Sequence, residues 1–119
     1  MKTIVAGVLV ALSVTMANAQ MDSLSANAIL PGCIKFGTPS VDPDESLRTG
    51  LCVGTVTTLI LTLQNKTAGP FCIRFPRGAT FQQAVQIVVR YVKARPERMH
   101  DLFALLAHEA LRDAWPCKP

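Results

Sequence analysis

Four cysteines and two histidines are the residues with which this chain could do chemistry. Cys33, Cys52, Cys72 and Cys117 could attack a substrate, ligate a metal or pair with one another, and His100 and His108 are the bases at hand. The run His108-Glu109-Ala110-Leu111-Arg112 opens like the zinc motif H-E-x-x-H, in which two histidines one helical turn apart grip the metal. Arg112 stands where the second histidine is needed. His100 lies eight residues before His108, about 80° away around a helix, and cannot replace it. No metal site is expected, and His100 is expected to be a partly buried, hydrogen-bonded core residue. Covalent catalysis would need Cys52 or Cys72 held beside one of the histidines. The chain has no Gly-rich phosphate loop. The expectation is therefore no catalytic residue, no cofactor and no enzyme.

The first residues give the cysteines their setting. Lys2 is followed by an apolar stretch, Ile4 to Val14, and then by the small-x-small triplet Ala17-Asn18-Ala19. That is the layout of a secretory signal peptide over residues 1–19, and the apolar run falls short of the roughly 20 residues that a bilayer requires. Cleavage near Ala19–Gln20 leaves 20–119 as a single domain, with no membrane attachment after cleavage. An even number of cysteines, all in the mature part of an exported chain, reads as two disulfides. The formal charge of the whole chain is +4. This modest excess suits an acidic partner, but it is not the clustered basic stripe with interleaved aromatics that binds nucleic acid.

Several elements must position these residues. Ser25 can cap a helical turn over 27–30, which Pro31-Gly32 should stop. Residues 34–46 hold two prolines and three acids and read as an exposed loop. Leu47–Asn65 is an even choice. Its Val, Thr and Ile content favours a strand, while Cys52, Val56, Leu59, Ile60 and Leu63 would line one face of a helix. Lys66–Thr80 is a loop, and Asn65-Lys66-Thr67 at its start matches a glycosylation sequon. Thr80 and Gln83 form a capping box that opens an amphipathic helix over 80–94. Pro96 then begins a further helix over 97–115, whose apolar arc of about 220° exceeds what one neighbour can cover. A central position buried on two sides explains that arc, and so does a dimer partner.

The loop Phe71-Cys72-Ile73-Arg74-Phe75-Pro76-Arg77-Gly78 is the candidate contact surface. Arg74 and Arg77, with Phe71 and Phe75 on a proline-stiffened backbone, have the chemistry of interface anchors. The competing reading is that the phenylalanines fill the core and the arginines are merely solvated.

Taken in order, "ANAILPGC", "LCVGTV" and "FCIRFPRGATFQQAVQIVVRYVKARPERMHDLFALLAHEALRDAWPC" resemble the Rap/Tai family of type VI secretion immunity proteins. The family pattern is a leading Cys, then Cys-x-Gly-Tyr, then Phe-Cys with a Pro-x-Gly-Val-Thr turn. Two helices follow, of the kinds "QLxxVVxxYLxxHP" and "ALxxAFPC". The likeness covers nearly all of the mature chain and is most specific from Gly78 to Cys117. Thr55 stands in place of the tyrosine, Trp115 in place of the phenylalanine, and Pro76 lies two residues further from its cysteine than in the pattern.

The resemblance implies an all-α fold, a small disulfide-stapled domain of about four helices, with Leu47–Asn65 helical. It also implies a periplasmic homodimer that blocks a cognate peptidoglycan amidase effector by occupying its cleft. A periplasmic chaperone or envelope-stress binding module is the alternative. Four cysteines allow three pairings. If helices 80–94 and 97–115 are antiparallel, the Cys72 loop comes near Cys117, which leaves Cys33 for Cys52. On that reading Cys117, just past Pro116, is a staple.

Overall fold

The computed structural model describes residues 22–64 and 70–117. The expected signal peptide and its cleavage site lie outside them, as does the Asn65–Thr67 sequon. The described residues form four α-helices and no strand: α1 (Ala26–Ile34), α2 (Pro43–Leu63), α3 (Phe81–Lys93) and α4 (Phe103–Ala114), with a 3₁₀ turn at Pro96–Arg98. One core joins them, with Phe103, Ile60, Ile73, Leu106 and Leu111 as its largest fully buried side chains.

Helix α1 starts at the expected cap, where Ser25 Oγ accepts from the Ala28 N–H at 3.4 Å. It does not stop at Pro31-Gly32 but runs on to Ile34 with Pro31 inside it. Pro31 removes one helical hydrogen bond, and contacts with α2 offset that loss. Cys33 is bonded to Cys52, and Thr49 Oγ1 donates to the Gly32 carbonyl at 3.1 Å. At Gly32 the two helices touch, so closely that a Cβ there would overlap backbone atoms of Arg48 and Thr49.

The even choice at Leu47–Asn65 falls to helix, and α2 begins earlier than the sequence suggested. Asp42 caps it through the Asp44 N–H, and Pro43 occupies the first position, where its missing N–H is no loss. The supposed loop 34–46 therefore ends at residue 42. Cys52, Val56 and Ile60 are buried, with Leu59 and Leu63 half-buried beside them. By length and composition alone α2 could cross a membrane.

Helix α3 has the capping box read from the sequence. Gln83 N–H donates to Thr80 Oγ1 at 3.1 Å, and Thr80 N–H donates to Gln83 Oε1 at 2.9 Å. Ala84, Val85, Val88 and Val92 are buried, while the glutamines, Arg90 and Lys93 face solvent.

The expected helix over 97–115 is broken instead. After the 3₁₀ turn the backbone turns away and serves α1, with Ala26 N–H donating to the Asp101 carbonyl and Asn27 N–H to that of Met99. Helix α4 starts only at Phe103 and buries Phe103, Leu106, Ala107, His108, Ala110 and Leu111. Most of its wide arc is covered within the chain.

Candidate partner-binding surface

The loop proposed from the sequence is tied down at its start. Cys72 is bonded to Cys117, with Cα atoms 5.7 Å apart. Ile73, fully buried, forms bridges with both Gln64 and Pro116. Its N–H donates to the Leu63 carbonyl at 3.4 Å, and the Arg74 N–H donates to Trp115 at 2.9 Å. The loop is thus pinned between the end of α2 and the end of the chain. Sequence reasoning passed over Ile73, although it is the only apolar residue of "CIR" and lies next to the buried cysteine.

The two phenylalanines divide between the two readings. Phe75 is half-buried, stacked on Phe81 at 5.6 Å and set edge-on to Trp115 at 5.3 Å. That trio fastens the loop to the start of α3 and the end of α4. Phe71 is 66% exposed. Its ring lies 5.6 Å from that of His108, and its carbonyl lies 3.3 Å from His108 Nε2. Because a carbonyl only accepts, this bond requires the proton on Nε2.

Between the aromatics, residues 76–79 make a turn closed by Ala79 N–H donating to the Pro76 carbonyl at 3.1 Å. Gly78 has a φ of 88°, which a side-chain-bearing residue rarely adopts. Arg74 and Arg77 are exposed, and neither guanidinium has a hydrogen bond or ion pair among the described residues. The loop therefore offers one exposed ring and two uncompensated cations on a backbone that is already ordered. Such a surface keeps its attraction for carboxylates and gives up little entropy when bound.

The expected place of His100 is not the one it takes. His100 is not a core residue: its side chain is 80% exposed, with Nε2 3.4 Å from Asp101. His108 is the buried one. The helix carrying residues 103–114 starts after His100, so the apolar arc never includes it. All four sulfurs lie in disulfides, which leaves no thiolate beside either histidine.

Glu109, the would-be base of the broken zinc motif, has a structural role. Arg98 grips it with two hydrogen bonds of 2.6 and 3.1 Å and also holds Asp101 at 2.8 Å. The Tyr91 hydroxyl donates to Glu109 at 2.9 Å, and Arg95 lies 3.5 Å over the Tyr91 ring. Arg98 holds the Glu109 carboxyl below the usual carboxylate range, against an opposing effect of burial, and the Tyr91 bond adds to the lowering. Burial, then the hydrogen bond to Glu109, raises the Tyr91 hydroxyl.

A group with a depressed folded-state pKa contributes stability above its unfolded value and loses it as pH falls through the folded one. Wild type should thus exceed Glu109→Gln in urea midpoint at pH 7, and the gap should close as the solution is acidified through the carboxylate range. A gap unchanged down to pH 3 would contradict this role.

No curated protein and no solved structure matches the chain. A family model described as Rap1a immunity proteins matches residues 17–117. That span includes both disulfides, the four helices and the pinned loop, and the chain belongs to the Rap1a immunity protein family.

Proposed function

We propose that this immunity protein is exported to the periplasm and there binds a peptidoglycan amidase delivered by type VI secretion. It protects the cell by covering the enzyme's cleft, and it carries out no reaction of its own. Family membership supports the immunity role. Two disulfides suit an oxidising compartment, and the signal-peptide pattern of residues 1–19 supplies a route to it.

The single observation that carries the binding mode is the pinned loop with its unpaired Arg74 and Arg77 beside an exposed Phe71. A rigid cationic surface can sit in an acidic cleft and exclude the substrate. In this reading the protein acts as a homodimer, as its family resemblance implies.

Arg74→Glu with Arg77→Glu tests the surface. Both side chains are exposed, so the melting temperature should move little. Affinity for the cognate amidase should fall at least a hundredfold, chiefly through the dissociation rate if the contacts are buried on binding. Inhibition that survives the double reversal would remove the loop from the interface.

A further inference from the structure

Helix α2 presents to solvent a face that the other described residues leave uncovered. Its buried stripe is Cys52, Val56 and Ile60. On the opposite side Leu47 and Leu61 are 62% and 58% exposed, with Gly50, Gly54 and Thr58 exposed between them. No charged residue occurs between Arg48 and Lys66.

The two glycines need a reason. Glycine within a helix is worse than alanine by about 0.5–1 kcal/mol. At Gly32 the backbone of α2 explains it, but a Cβ on Gly50 or Gly54 would meet nothing within 4 Å. Their spacing supplies the reason. Leu47 and Leu61 lie seven residues either side of Gly54, and Gly50 and Thr58 lie four either side. A two-fold axis at Gly54 would set Leu47 against the partner's Leu61 and Gly50 against the partner's Thr58. An isologous interface demands this self-complementarity.

We propose that two copies of the chain pair through this face, with their α2 helices antiparallel and Gly54 at the crossing. A helix of 21 residues is about 31 Å long. Contact along that length would remove on the order of 1,200 Å² from the two copies together, the lower end of the range for specific interfaces. Of the hydroxyls on this side, that of Thr62 already bonds the Thr58 carbonyl at 2.6 Å. The inference rests on the dimer reading above and adds where and in what register the copies meet.

Sedimentation equilibrium on the exported protein tests it without any effector. Wild type should be dimeric at tens of micromolar. Gly54→Leu and Leu61→Glu, both at exposed helix positions, should weaken self-association at least tenfold while the helical circular dichroism is retained. Combining Leu47→Lys with Leu61→Glu should restore the dimer, because the antiparallel register sets each lysine against a glutamate, whereas a parallel one sets like against like.

A wild type that stays monomeric at about 100 µM overturns the proposal, as does a dimer indifferent to both single changes. Failure of the double variant to recover overturns the antiparallel register. A monomer that floats with phosphatidylethanolamine–phosphatidylglycerol vesicles would assign the face to a bilayer instead. Inhibition of the amidase is measured separately, so that loss of the dimer with inhibition intact leaves the immunity reading in place.

Discussion

Replacing Cys72 and Cys117 together by alanine is expected to lower unfolding stability by about 4 kcal/mol. The bond closes a loop with a sequence separation of 45, and the chain-entropy relation for a loop of that length gives roughly that figure. The shorter Cys33–Cys52 loop, with a separation of 19, gives about 3 kcal/mol. A domain of this size has on the order of 5–15 kcal/mol in all, so the first loss alone would raise the unfolded fraction open to proteolysis by up to about a thousandfold. The cross-link also has a positional role, because it holds Ile73 where it bridges Gln64 and Pro116. Urea unfolding of the oxidised protein checks the ranking. The Cys72/Cys117 variant should lose more than the Cys33/Cys52 variant, and periplasmic yield should fall before affinity does. Equal midpoints for wild type and the Cys72/Cys117 variant would show that the staple contributes nothing.

Gly32→Ala is the second large effect. The added methyl would overlap the Arg48 carbonyl and the Thr49 nitrogen, which are backbone atoms of a helix and cannot swing aside. Helices α1 and α2 would have to separate, straining the Cys33–Cys52 bond that joins them and the Thr49–Gly32 hydrogen bond of 3.1 Å. Overpacking typically destabilises by about 1–3 kcal/mol, and an unyielding neighbour puts this site at the upper end. The gain of up to about 1 kcal/mol in helix propensity does not offset it. The midpoint of denaturant unfolding should therefore fall clearly, with the m-value unchanged. A neutral or stabilising result would mean that the two helices do not touch there.

These two sites show how far the chain could be read in advance. Helix α3 was legible because its signals are local: a capping box at Thr80 and Gln83, then one apolar face. At α1 the local signal points the wrong way, since Pro31-Gly32 is a stop. What carries the helix past it is distant in sequence, namely Cys52 and the close approach of Arg48. The break between residues 98 and 103 was hidden for the same reason. The carbonyls of Met99 and Asp101 accept from Asn27 and Ala26, more than seventy residues away, and no periodicity records that. His100 followed the same error into a helix that does not include it. Pro43 suits a loop by composition, yet with Asp42 before it the pair also has the chemistry of a helix start.

The candidate surface was half legible. Its cations and rings stood out by composition, but the separate fates of Phe71 and Phe75 depend on Phe81, His108 and Trp115, which only the fold brings near. Ile73 was missed because a single buried residue in a loop has no period. The resemblance placed the helices where propensity left α2 undecided, and the core stripe of Cys52, Val56 and Ile60 shows why helix prevails there. Val and Thr disfavour the helix by tenths of a kcal/mol per residue, while packing that stripe into the core is worth several times as much.

The central proposal is that this chain neutralises a peptidoglycan amidase by binding it. The most direct measurement exports the candidate cognate amidase to the periplasm of a test strain, with and without the immunity protein, and follows lysis. Purified enzyme is then assayed on peptidoglycan with increasing amounts of the immunity protein. The account predicts protection from lysis and stoichiometric loss of amidase activity, with the two proteins eluting as one complex. Undiminished lysis and full enzyme activity in the presence of excess, folded immunity protein would contradict it.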